Sequence, residues 1–237
     1  TTRPTSTTEL VEFANATGSL FAVSALERKL QWQFEAQPFP RSRITAPIGV
    51  TDDSLIVASE NYYVYCLDRK KGYERWSFVS GFPIRKAPIV IKQYQSINKQ
   101  AKTDEDLYIM PDHGGIFNLA LQTGRQKWER PGITDFLGAT KSRLFTSDVT
   151  GNVVLLQRNN GRPLGTLPLR PFSVRLENDR SDRLFLATPS GLIVCLRDQG
   201  SEFARFHKYP ERAPVVPEVE PDEPTPPVPM PDEPANQ

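Results

Sequence analysis

The sequence predicts an all-β fold, a β-propeller of about five four-stranded blades, and three observations predict it. A unit of alternating apolar residues, a glycine turn and a tryptophan recurs along the chain. Its turn glycines Gly72, Gly124, Gly161 and Gly200 are spaced by 52, 37 and 39 residues, and each unit divides into four short strands. A period near 40 residues with four antiparallel strands per unit is that of a propeller blade.

The first blade draws on both ends of the chain. Residues 1–8 are expected to lack regular structure, and 9–34 supply strands two, three and four, ending at Trp32. "RAPVVP" at 212–217 repeats the first-strand pattern of "TAPIGV" and "KAPIVI", so it is expected to pair with the N-terminal strands and close the ring. Closure removes exposed sheet edges, which otherwise invite aggregation. The alternative is an open arc cropped from a larger ring.

Period-two alternation places the strands of the other blades. First strands fall at 46–50, 87–91, 136–140 and 172–176, and second strands at 54–59, 106–111, 143–148 and 183–188. Third strands are "YVYCLD", "GIFNLAL", "NVVLLQ" and "GLIVCL"; a "KG", "TG" or "NG" turn then leads to a fourth strand, with Trp76 and Trp128 near the ends of two of them. The polar stretch 92–106 accounts for the one wide interval. Glycine permits positive φ, so the strands are expected to reverse in two residues. Each tryptophan is large enough to bridge neighbouring blades, with its indole N–H on a backbone acceptor. Gly165 and Phe203 stand near the tryptophan place in the last two units, so those seams should be looser. The propeller is expected over 9–217, followed by a disordered, acidic, Pro-rich tail over 218–237.

That tail carries six acidic and no basic residues, so residues 1–217 bear a formal +7 within a chain of net +1. A moderately basic body with no aromatic RNA-binding signature argues against a nucleic-acid partner. No apolar run approaches the length of a membrane-spanning helix. Cys66 and Cys195 lie in apolar strands and are expected to be buried packing residues. With two histidines and no CxxC, no metal site is assigned. Gly114 and Gly115 precede a strand rather than a helix, which removes the basis for a phosphate cradle. Asp112 and His113 form a turn in which a general acid or base is imaginable, although a hydrogen-bonded turn residue explains them as well.

The residues Gly114, Gly115, Thr123, Gly124 and Trp128, with weaker copies at Gly18 and Trp32, Gly72 and Trp76, and Gly161, resemble the repeat of the quinoprotein-like (PQQ-repeat) β-propeller family. The resemblance spans roughly 12–216 and implies the propeller fold. For enzymatic members it implies a larger ring, a quinone, a calcium ion and a catalytic aspartate. This sequence has no adjacent cysteine pair and no matching calcium ligands, so no catalytic residue, cofactor or metal is assigned; quinone-dependent oxidation, by this chain or by a larger protein containing it, is the alternative. Among non-enzymatic members the sequence is most similar to the envelope propeller of the machinery that assembles outer-membrane β-barrels. That implies a protein-binding scaffold in the periplasm or cell envelope. The connections between blades carry Arg41, Arg43, Arg85, Lys86, Arg130, Arg170 and Arg212, and together with His113 they form a candidate face for a protein or peptide, acidic in character.

Overall fold

The structure, a computed structural model, describes residues 5–6, 10–15, 17–37, 43–92 and 105–208. Its strands form five separate antiparallel sheets in chain order. The first blade holds β1 (Thr5–Ser6), β2 (Leu10–Ala14), β3 (Ser19–Ser24) and β4 (Leu30–Glu35). The second holds β5 (Gly49–Val50), β6 (Ser54–Ala58), β7 (Tyr63–Asp68) and β8 (Glu74–Val79). The third holds β9 (Ile89–Lys92), β10 (Glu105–Ile109), β11 (Ile116–Ala120) and β12 (Gln126–Arg130). The fourth holds β13 (Ile133–Ala139), β14 (Arg143–Asp148), β15 (Val153–Gln157) and β16 (Pro163–Leu167). The fifth holds β17 (Val174–Arg175), β18 (Leu184–Ala187) and β19 (Ile193–Leu196). Every strand pairs with its sequence neighbour, the up-and-down meander of propeller blades.

Alternation along β2 and β3 turns Ala14, Leu20 and Ala22 toward the second blade, where they meet Leu55, Val57, Tyr65 and Leu67. Three further apolar clusters join the second blade to the third, the third to the fourth and the fourth to the fifth. Among the described residues no such cluster joins the fifth blade to the first.

The tryptophans do what their size suggests, and the turn glycines do more. The indole N–H of Trp32 donates to the carbonyl of Arg69 at 3.1 Å, that of Trp76 to Leu121 at 2.8 Å, and that of Trp128 to Arg158 at 3.1 Å. Each acceptor lies in the turn between strands three and four of the next blade, and each ring lies flat against that turn's glycine. A Cβ on Gly72 would stand 2.4 Å from the Trp32 ring, one on Gly124 2.4 Å from Trp76, and one on Gly161 2.5 Å from Trp128. These glycines also adopt φ of +74°, +68° and +67°. The reversal takes four residues rather than two: Gly72 N–H closes back on Asp68 C=O at 2.8 Å, and Asp68 N–H on Tyr73 C=O at 2.9 Å. One more residue pair in the loop is what leaves room for the ring.

Two seams also bury ion pairs. Arg69 contacts Glu12 at 2.7 Å, and Arg158 contacts Asp106 at 2.9 Å, each guanidinium also donating to a backbone carbonyl. Lys127 adds a second cation to Asp106 at 2.8 Å.

Four expectations change. Thr5–Ser6 occupies the flank of β2 assigned to 212–217, so a strand appears within the segment 1–8 expected to be irregular. Pairing through a short local loop costs far less closure entropy than recruiting a strand some 200 residues away. The stretch 212–217 itself, the tail 218–237 and most of the polar insert lie outside the described residues. The fifth blade has three strands, because 201–207 does not run back along β19. Arg183 holds the carbonyls of Ser201 and Glu202 at 3.0 Å, Asp182 N–H bonds Arg205 C=O at 3.0 Å, and the His207 ring sits 2.7 Å from the Ala139 carbonyl. Cys195 is therefore exposed, whereas burial pushes the Cys66 thiol up to about 11. As expected from Gly165 at the tryptophan place, the seam before the fifth blade lacks the lock: a Cβ on Gly165 or Gly200 would meet nothing within 4 Å.

One core position is imperfect. Asn118 is fully buried opposite Trp128, and neither end of its amide has a protein partner. The equivalent places opposite Trp32 and Trp76 hold Ala22 and Cys66.

Trp128→Ala is expected to cost about 3–5 kcal/mol, as for other buried large aromatics. Gly161→Ala should cost at least about 1–2 kcal/mol for its left-handed backbone alone. Because the collision disappears with the ring, the double variant should cost less than the sum by about 1 kcal/mol or more in denaturant titrations; strict additivity would show that the two residues do not act together. In the same assay Asn118→Cys should stabilise the fold by about 1–2 kcal/mol, since it removes an unsatisfied buried amide.

Candidate binding face

Two kinds of segment share the rim opposite the tryptophan turns: the turns between strands two and three, and the connections from one blade to the next. Backbone bonds tie them together, Glu60 N–H to Arg43 C=O at 2.9 Å in the second blade and Asp112 N–H to Pro83 C=O at 3.0 Å in the third. Charged side chains then cross between blades. Arg85, in the connection into the third blade, pairs with Glu60 of the second at 3.2 Å and with Asp112 of the third. Arg170 repeats the relationship by donating to Asn152 of the fourth blade's turn at 3.1 Å.

The structure thus gathers Arg43, Arg85, His113 and Arg170 on one rim, with Arg130 at the end of β12 leading into it. Lys86 is directed toward the inner strands instead, where it donates to the Thr134 carbonyl and pairs with Asp135 at 2.7 Å. Burial works against ionisation of Asp135, but hydrogen bonds from Lys86, Ser147 and Thr134 outweigh it and hold the carboxyl below the usual aspartate range. Arg41 and Arg212 lie outside the described residues. The cations with acidic partners offer less free charge than the basic composition suggests.

Aromatic groups were missed by a reading centred on charge. Phe82 is 42% exposed and meets the His113 ring edge-on at 6.3 Å. It lies over Gly114, where a Cβ would be 3.3 Å from its ring, while Gly115 supplies the left-handed φ of +88°. Tyr62 is 44% exposed, and its carbonyl accepts from Ser80 N–H at 2.8 Å and lies 3.0 Å from Ser80 Oγ, which also lies 2.8 Å from the Phe82 carbonyl. Val149, 76% exposed, tips the corresponding turn of the fourth blade.

Tyr62 has φ of +76°; in the first, fourth and fifth blades the residue at this turn position is Gly18, Gly151 or Gly191, and in the third Gly114 stands there with the left-handed residue, Gly115, one place later. A tyrosine held in a backbone conformation that disfavours it, on a loop and with its ring in solvent, directs attention to function. The signal was present in the sequence, where Tyr62 aligns with Gly18.

Cys66 and Cys195 belong to the second and fifth blades, and among the described residues no three His, Cys, Asp or Glu side chains come together. No helix of the described residues is long and apolar enough to cross a membrane.

A family model described as outer membrane protein assembly factor BamB matches residues 16–170, ending where the fifth blade begins. No curated protein matches the chain. Among solved structures, BamB from Moraxella catarrhalis superposes with a TM-score of 0.60 at 15% identity, over 82% of this chain and 60% of that one. The computationally designed protein Ika8 superposes with a TM-score of 0.59 at 10% identity, over 82% of this chain and 57% of that one. The chain therefore spans about three fifths of the length of these structures, and the likeness establishes the propeller fold.

Tyr62→Gly is expected to raise stability by about 1 kcal/mol through relief of the left-handed strain, as read from a thermal or denaturant melt. A loss of stability of similar size would show that the ring's packing outweighs the strain.

Proposed function

The chain belongs to the outer membrane protein assembly factor BamB family, and from that premise we propose that it is a non-enzymatic, protein-binding scaffold of the cell envelope. The observation that carries this reading is the exposed Phe82–His113 pair on a rim that also carries the exposed Tyr62, Arg43 and Arg85. Aromatic rings and arginines are the residue types enriched at protein–protein contacts, the rings because they bury much area with few rotatable bonds and arginine because its planar guanidinium forms several directional hydrogen bonds. A partially neutralised basic rim suits a protein or peptide with acidic groups around an apolar centre, and it would steer such a partner's approach.

The reading predicts that immobilised protein retains a partner from outer-membrane extract, and that Phe82→Asp reduces its affinity by about tenfold or more, as for loss of a central aromatic anchor. Tyr62→Gly should weaken the same complex while leaving the fold at least as stable. Equal capture by wild type and both variants would remove this face from consideration. Reduction of a dye by the protein with added quinone and calcium would favour oxidoreductase chemistry instead.

A further inference from the structure

The seam between the fourth and fifth blades keeps the frame of the tryptophan lock without the ring. In the three filled seams Trp32, Trp76 and Trp128 stand opposite Ala22, Cys66 and Asn118 on the neighbouring strand. Each ring packs in one cluster with a leucine of the following blade, Leu67, Leu119 or Leu156, and all three leucines are 0% exposed. In the fourth blade Gly165 takes the tryptophan place, opposite Leu155. In the fifth blade Leu196 takes the leucine place, paired with Leu184 as Leu67 is with Leu55, Leu119 with Leu107 and Leu156 with Leu144. Leu196 is 37% exposed, and Leu167, two residues beyond Gly165 on the same face, is 38% exposed.

The other parts of the seat are in position. Gly200 has a left-handed φ of +80°, near the +67° to +74° of the three lock glycines. A Cβ on Gly165 or Gly200 would meet nothing within 4 Å, so Leu155, although larger than Ala22 or Cys66, does not fill the space. The Arg197 carbonyl, three residues before Gly200, stands where Arg69, Leu121 and Arg158 accept an indole N–H. Among the described residues no donor reaches it.

The charge beside the seat is unmatched as well. Arg69 and Arg158 turn back to Glu12 and Asp106 of the preceding blade. Arg197 holds their place in the fifth blade, but Arg143 stands at the position of Asp106, so the fourth blade offers a cation where the third offers an acid. Arg143 pairs with Asp198 at 3.0 Å, and Arg197 stays exposed, donating to the Ser201 carbonyl at 3.2 Å.

We propose that this seam is a docking site for a tryptophan side chain of a partner protein, carried on a segment with acidic residues beside it. The filled seams of the same molecule identify the occupant: an indole flat against a left-handed glycine, packed with a leucine, its N–H on the turn carbonyl. Insertion would cover Leu167 and Leu196, and an adjacent carboxylate would give Arg197 the charged partner that Arg69 and Arg158 already have. One aromatic anchor in a preformed apolar seat can carry much of an interface's affinity. The site lies toward the rim opposite Tyr62 and does not depend on the face assigned there.

The test follows the methyl signals of Leu167 and Leu196 in NMR spectra of the full chain during titration with a short peptide that holds one tryptophan between two acidic residues. Saturable shifts of these methyls are expected, and the alanine version of the peptide should bind weaker by about tenfold or more. Arg197→Glu, a change at an exposed position, should weaken the tryptophan peptide by about threefold or more. Leu155→Ala combined with Gly165→Trp rebuilds the Ala22–Trp32 arrangement inside the chain; it should raise the melting temperature and abolish the shifts. Phe82→Asp should leave them unchanged, which separates this site from the opposite rim. Equal shifts from the tryptophan and alanine peptides, no shift at either leucine up to millimolar peptide, binding by Arg197→Glu as tight as wild type, or nuclear Overhauser contacts that place the Tyr209 ring over Leu196 in the free protein would overturn the proposal.

Discussion

The contact between a tryptophan and a glycine of the following blade governs how these sheets assemble. Each lock glycine meets two demands at once, a left-handed backbone that closes the turn and a bare Cα against which an indole can lie. The indole N–H then finds its acceptor in the same turn, so the ring is buried without an orphan donor. Ring, turn and hydrogen bond fix the angle between successive blades more sharply than aliphatic packing can, because all three are directional. At the last seam the lock is missing, and an apolar cluster that includes Phe145 and Phe172, the half-exposed Arg143–Asp198 pair and hydrogen bonds from Asn178 N–H to the Leu137 carbonyl and between the His207 ring and the Ala139 carbonyl hold the blades. A pair of that kind contributes little in water.

The residue whose carbonyl receives the tryptophan also sets the polarity of the seam. Arg69 and Arg158 turn their guanidinium groups back to Glu12 and Asp106 of the preceding blade, whereas the middle seam has Leu121 at this place and is apolar. Buried ion pairs bring less net stability than their geometry suggests, because both charges leave water. Breaking one by removing a single partner is nonetheless severe, since the other charge stays buried. Alternating polar and apolar seams therefore discourage blades from packing in the wrong order, because an arginine set against an apolar seam would find no acid.

Most of this architecture was legible in the sequence because its determinants are local. Alternation fixes which strand residues face a seam, and glycine spacing fixes the blade period. The double role of Gly72, Gly124 and Gly161 was not legible, since it depends on a ring contributed by another repeat about 30 to 50 residues earlier in the chain. The missing fourth strand of the fifth blade was hidden for a similar reason. "GSEFARF" has the right length for a strand, but Arg183 and Asp182 capture its backbone from a distance in sequence. For the candidate face, the sequence identified the cations but not which of them were paired. Glu60 and Asp112, which neutralise Arg85, lie on turns whose approach only the folded rim creates.

The two rims are under different constraints, and this bears on where function can reside. On the tryptophan rim three of the five left-handed turn positions are committed to glycine by the neighbouring ring, and Arg28 stands where no tryptophan precedes it. On the opposite rim Gly115 is also committed, since a Cβ there would stand 2.2 Å from the Arg130 carbonyl oxygen, but at Gly191 a Cβ would meet nothing within 4 Å and at Tyr62 a large side chain already projects. Tyr62 exploits that freedom, its carbonyl held by Ser80 while its side chain remains 44% exposed. The tryptophan rim can change little without loosening a seam, whereas the open positions of the other rim, Tyr62 and Gly191, can exchange one projecting group for another at the cost of local strain. A surface able to vary on a scaffold that cannot is the physical basis for placing recognition on the Tyr62 side of the molecule.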